Sequence, residues 1–153
     1  MAALTTGKRP IRKAERGAEL IEFAFALPIL LFLIAGIIDF GLLFKDYEVV
    51  TNAAREGARL GTLPGYGNAD ITDRVREYAG SGGLYTDPTA LTITPQATTV
   101  SVGGGKPAAS AIQVNVTYGH QILFLGPLAA LVGGGAYGTV NLNARSTMRL
   151  EIQ

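Results

Sequence analysis

The dominant feature of the hydrophobic pattern is a run from Phe23 to Phe44 in which only Pro28, Gly36, Asp39 and Gly41 are not apolar. Its 22 residues, at about 1.5 Å rise each, make about 33 Å of helix, enough to cross a hydrocarbon core of about 30 Å. A cleaved secretory signal fits poorly, because its apolar region usually stops after about 7–15 residues and is followed by a small-residue cleavage site. A buried core helix would carry one apolar stripe rather than apolar residues on every side. The pattern therefore predicts a single membrane span. No proline or turn cluster separates the run from Lys45–Leu60, so one helix is expected from about Ala18 to about Leu60, greasy all round in its first part and amphipathic in its second. Gly61-Thr62-Leu63-Pro64-Gly65-Tyr66-Gly67 ends it.

Beyond this stop the period changes. Asp70 is placed to cap a short helix over Ile71–Ala79, with Ile71, Val75 and Tyr78 or Ala79 on one face, closed by Gly80-Ser81-Gly82-Gly83. Strand signals follow at Leu91–Thr94, Thr98–Val102, Ala111–Tyr118 and Thr139–Ile152. In the third of these, Ile112, Val114 and Val116 alternate with Gln113, Asn115 and Thr117, the period of a half-buried strand. Gly103-Gly104-Gly105-Lys106-Pro107 reads as a hairpin loop. The expected fold class is α+β: a long amino-terminal transmembrane helix continuing into a small domain with an antiparallel sheet. Three segments result, a basic leader over 1–17, the helix over 18–61 and the α+β domain over 62–153.

Composition changes the picture only where it is localised. The chain of 153 residues is 48% hydrophobic with a mean hydropathy of +0.27, which excludes a disordered or fibrous protein. Its net charge of +1 hides a basic head, since Lys8, Arg9, Arg12, Lys13 and Arg16 face only Glu15 there and leave an acidic body. Basic residues before the span place the amino end in the cytoplasm and the domain outside, in the periplasm of a Gram-negative cell. The body has no basic stripe to neutralise phosphates, so no nucleic-acid partner is expected. Cysteine is absent, which excludes disulfides and thiolate metal sites, and a lone histidine makes an all-protein zinc site improbable.

The junction before the span carries the most specific signal: Arg16-Gly17-Ala18-Glu19-Leu20-Ile21-Glu22-Phe23. It resembles a type IV prepilin processing site. Downstream, Glu22-Phe-Ala-Phe-Ala-Leu-Pro28, Gly36-Ile-Ile-Asp39-Phe40-Gly41 and Thr51-Asn52-Ala53-Ala54-Arg55-Glu56-Gly57-Ala58-Arg59 resemble the TadE-like family of the Tad (Flp) pilus branch. The resemblance implies cutting between Gly17 and Ala18, which makes Glu22 the fifth mature residue and Phe23 the sixth. It further implies a structural minor pilin or pseudopilin of the bacterial inner membrane, not an enzyme, without cofactor or metal. Its implied partners are a prepilin peptidase, an inner-membrane pilus platform and its ATPase, other pseudopilins, the major pilin and the lipid bilayer. Major pilins of this branch are very short, so the domain from Thr62 onward implies a low-copy initiating or tip subunit. The implied role of Glu22 is to meet the new amino group at Ala18 of a neighbouring subunit. An acid entering lipid costs up to about 2.5–3.5 kcal/mol at mid-span. The alternative is a boundary acid reaching back to water. A rival for the whole chain is an uncleaved single-pass anchor carrying a periplasmic binding module.

Other positions leave two readings open. Pro28 removes one helix hydrogen bond, giving either a flexible point that eases extraction from lipid or a tolerated membrane proline. Asp39 either faces a partner helix or sits in the interface. Ala53, Ala54, Gly57 and Ala58 form a small-residue face for another subunit or for the chain's own sheet. Arg55, Glu56 and Arg59 read as a solvated face with a Glu56–Arg59 pair. Ile122–Val132 is too short to span a bilayer, and is either an apolar loop for a partner or membrane surface, or a buried strand and turn. Gly133, Gly135 and Gly138 have the spacing of a dinucleotide loop, but a strand rather than a helix follows them. His120 has no nucleophile partner in sequence and reads as a surface or packed histidine.

Overall fold

The computed structural model describes residues 11–104, 107–131, 133–134 and 138–150. Among the described residues, three helices and three strands make the framework. Helix α1 (Ile11–Leu60) runs unbroken for 50 residues, through Pro28. Helix α2 (Asn68–Ser81) follows, and then strands β1 (Leu91–Val100), β2 (Ala109–Gln121) and β3 (Thr139–Arg149), with a short helix α3 (Leu125–Leu131) between β2 and β3. The sheet is antiparallel in the order β1-β2-β3. The α+β layout expected from the patterning is the one observed.

α1 begins at Ile11, earlier than expected, because Ile11–Arg16 are all residues tolerated in helices and lack a breaker. The expected leader residues 1–10, including Lys8 and Arg9, lie outside the described residues. The other end falls as expected: the Gly61 amide donates to the Gly57 carbonyl at 3.0 Å, and Thr62 and Leu63 tighten into a last turn on Arg59 and Leu60. α2 starts two residues before Asp70, so Asp70 is inside the first turn rather than at the cap. From there its carboxylate accepts the Gly67 amide at 2.8 Å, the returning half of a capping box. At the far end Leu84 N–H bonds the Ala79 carbonyl and Gly83 N–H that of Gly80, with Gly83 at φ +83°. This is a Schellman stop, which a left-handed glycine makes easy.

The strands correct two expectations. Pro95 does not separate two strands; β1 is continuous, with Pro95 opposite Val114 on an edge strand, where a missing amide need not break the sheet. The stretch read as either a loop or a strand and turn, Ile122–Val132, contains α3 instead. The hairpin between β1 and β2 exists as expected, although Gly105 and Lys106 at its tip lie outside the described residues, as does Gly135 of the glycine motif.

One face of the sheet packs on the helices. Ile112, Val114, Val116, Tyr118 and His120 of β2 point to α1, while Gln113, Asn115 and Thr117 lie on the outer face. There Thr117 Oγ1 donates to Asn143 at 2.7 Å and Arg145 Nε to Asn115 at 2.9 Å across the β2–β3 register. Against the inner face α1 presents Val50, Ala53, Ala54, Gly57 and Ala58, all buried, and α2 presents Ile71, Val75 and Ala79. Small residues are required there. A methyl group on Gly57 would run into Val75, and one on Gly61 would come within 2.9 Å of both Ile71 and Ile112. The small-residue face therefore packs within its own chain. Replacing Gly57 by Val is expected to lower stability by about 1–3 kcal/mol through overpacking, read as an earlier thermal loss of helical circular dichroism in detergent. Gly41→Ala, where nothing lies within 4 Å, should leave the transition unchanged or raise it.

Candidate functional site

The amino-terminal half of α1 is the surface on which the sequence placed most of its functional residues. From Gly17 to Leu31 every side chain is exposed, including Glu22 and Phe23, and Gly17 and Ala18 lie on the open helix surface. Residues 17–60 contain a helix long and apolar enough to cross a membrane, and almost none of its most apolar part is buried in the fold. An apolar helix left bare in water is unstable on its own account, so this surface is shaped for lipid or for other helices. Pro28 lies within it, and the helix runs through it without a break.

Two positions in the apolar half break this pattern. Ala35 and Asp39, one turn apart, are buried, Asp39 to 4% exposure. The chain between β2 and α3 folds back onto this part of α1 and aims three consecutive amides at the Asp39 carboxylate. Leu123 N–H reaches Oδ1 at 3.1 Å, Phe124 N–H bridges both oxygens at 3.2 and 3.1 Å, and Leu125 N–H reaches Oδ2 at 2.7 Å. Asp39 thus supplies the start of α3 with an acceptor for amides that have no partner within the helix. Its carboxylate is occupied inside its own chain.

Two turns further on, the same face carries Asp46. Its Oδ2 lies 2.8 Å from His120 Nδ1, and Lys45 Nζ lies 3.6 Å from its other oxygen. His120 is the packed histidine of the two readings, 4% exposed, and its Nε2 is buried with no hydrogen-bond partner among the described residues. Asp46 was not singled out from sequence. The signal was present in its spacing: residues 35, 39, 46, 50, 53, 57 and 61 follow the helical repeat and trace one stripe on α1.

The polar face of α1 forms a second link. Glu56 accepts Arg59 Nε and Nη2, each at 2.8 Å, and also Arg74 Nη2 at 2.9 Å and Nε at 3.1 Å from α2. The expected Glu56–Arg59 pair is present; Arg74, eighteen positions away, was not foreseeable from local spacing. The two guanidinium groups, Arg59 first and Arg74 next, hold the Glu56 carboxyl down from its ordinary 4.5 to about 2. Among the described residues no group of three His, Asp or Glu is placed to hold a metal ion.

Two outcomes are expected. Because the folded Glu56 binds its proton less tightly than the unfolded one, its stabilisation is full above pH 4.5 and disappears as pH falls toward 2. Glu56→Gln should therefore melt below the wild type at neutral pH, with the gap closing across that window. Asp39→Ala leaves three amides without their acceptor, at a cost of about 1–3 kcal/mol for each one that stays buried. Hydrogen exchange at Leu123, Phe124 and Leu125 should accelerate, while the β1–β2 amides keep their protection.

Comparison with known proteins adds one finding to this geometry. Residues 17–59, the greater part of α1, match the family described as TadE-like protein. No curated protein and no solved structure shows significant similarity to the chain.

Proposed function

We propose that this chain with a TadE-like α1 is a minor pilin or pseudopilin of a Tad-type (type IVc) pilus. In this reading a prepilin peptidase cuts it between Gly17 and Ala18, and it assembles through the bare apolar half of α1. The observation that carries the proposal is the contrast along one helix. One face of its outer half is packed by its own domain, whereas from Gly17 to Leu31 no position is buried. A structural subunit needs such a division, with one end folded and the other reserved for lipid before assembly and for neighbouring helices after it.

The acids along this helix divide in the same way, Glu19 being exposed like Glu22. Asp39 is satisfied internally, whereas Glu22 stands exposed four residues beyond Ala18. Cutting after Gly17 creates an ammonium group at Ala18, and a carboxylate on an adjacent copy attracts it strongly in a dry helical bundle. Pairing fixes the axial offset between subunits, because an unpaired charge there is penalised. The partners in this reading are the peptidase, the inner-membrane platform with its ATPase, other pseudopilins and the major pilin. The domain stays on the far side of the inner membrane until assembly, and the role is structural rather than enzymatic.

One observation favours the uncleaved anchor as a second reading. α1 is helical on both sides of Gly17, and a peptidase that binds its substrate as an extended strand must first unwind it. Glycine lowers that cost, since it weakens a helix interior by about 0.5–1 kcal/mol relative to alanine. Mass spectrometry of the full chain, expressed in membranes with and without a Tad-type prepilin peptidase, separates the two readings. Loss of residues 1–17 only when the peptidase is present, abolished by Gly17→Leu, is the expected result. An intact chain beside a control prepilin that is cut in the same cells would overturn the proposal.

A further inference from the structure

The segment from Ile122 to Leu131 has no charged side chain and no polar one. In the fold it does not hide its apolar residues: Leu123 is 54% exposed, Phe124 48% and Leu131 82%. Such a patch on a soluble surface marks a contact. Its position says which contact. The segment is bonded to Asp39, which lies five residues inside the carboxyl-terminal end of the apolar run at Phe44, about 7.5 Å along the helix axis. At that level α1 itself shows Ile37, Ile38 and Phe40 to the outside. The exposed apolar side chains of the α3 segment therefore lie at the same level of the helix as exposed residues of the span.

The backbone agrees. A segment in the apolar layer must satisfy its own amides. Leu123, Phe124 and Leu125 give theirs to Asp39, Leu128 gives its own to the Phe124 carbonyl at 3.2 Å, and Pro127 has none to give. The seven residues of α3 make only about 10 Å of helix, too short to cross and suited to lie in the interface.

We infer that α3 and the turn before it form a second membrane contact, inserted among the lipids of the leaflet at the carboxyl-terminal end of the span and held at that depth by Asp39. The domain is then fixed against the bilayer at two places, the helix it grows from and the apolar segment beside it. A single helix leaves the domain free to swivel; two contacts do not. The inference rests on α1 being a membrane span, and its test reads the span separately.

The chain contains neither tryptophan nor cysteine, so one introduced tryptophan is the sole indole probe. The full-length chain carrying Phe124→Trp, reconstituted in phosphatidylcholine–phosphatidylglycerol vesicles, is compared with Phe32→Trp in the span and Tyr85→Trp, which is 79% exposed on the domain. Leu131→Trp is a second probe in case Phe124→Trp perturbs the turn. When phosphatidylcholine brominated on its acyl chains is added, Phe124→Trp and Leu131→Trp should lose roughly half or more of their emission, as an interfacially buried side chain does. Bromines near the headgroup should act more strongly than those near the chain ends. Phe32→Trp should show the reverse depth preference, and Tyr85→Trp should be unaffected. If Phe32→Trp is quenched while neither α3 probe is, the inference fails and the span stands. If no probe is quenched, the span reading fails and the inference with it. Emission from α3 that responds to protein concentration but not to bromine would make a second copy the occupant, and would also overturn it.

Discussion

An acid placed within an apolar run has to be solvated by something, and the fold is arranged around the way Asp39 meets that need. Three amides of one turn converge on its carboxylate, and the turn belongs to the connection between β2 and β3. Because a charged acceptor with several backbone donors is a strong and directional contact, it ties the sheet to the helix at a point well inside the apolar run. Among the described residues the carboxylate bonds only these amides, so each side of the contact is satisfied by the other. The Asp46–His120 contact at 2.8 Å continues the attachment outward, and the packed stripe of Val50, Ala53 and Gly57 completes it.

That attachment divides α1 by physical character. In its outer part, small residues let α2 and the sheet approach closely, and stability comes from apolar burial around Ile71, Val75, Val114 and Val116. Glu56, shared by Arg59 and Arg74, adds an ionic clasp between the two helices on the exposed side. In the inner part, below Ala35, large side chains such as Phe25, Ile29 and Leu33 stand exposed. Packing within the chain is thus confined to one length of the helix, and a change in the other length need not disturb it.

Much of this was legible in the order of residues. The apolar run, its continuation to Leu60, the α2 face of Ile71, Val75 and Ala79, and the alternation in β2 all follow from local periodicity, which burial on one face imposes directly. Three pieces were less so. The strand signals at Leu91–Thr94 and Thr98–Val102 left a gap at Pro95, but Pro95 sits in a continuous edge strand, and edge status is a property of the sheet rather than of β1. Ile122–Leu131 is equally apolar as strand, loop or helix; its conformation follows from the acceptor at Asp39, more than eighty residues earlier in the chain. His120 had no neighbour in sequence with which to pair, since Asp46 lies 74 positions away.

The linear chain by itself determined α1, α2 and the alternation of β2, and that α1 is suited to a bilayer, because hydropathy and period are read over a few consecutive residues. It also carried the Gly17–Glu22 spacing and the TadE-like segment. Only the tertiary structure decided which carboxylates are spent within the chain and which stay outward, and that the small-residue face closes on its own domain. The physical reason is that a hydrogen bond or a close backbone approach depends on distance in space. For Asp39, Asp46 and Gly57 the deciding partners are remote in sequence and adjacent only after the sheet has folded back along the helix.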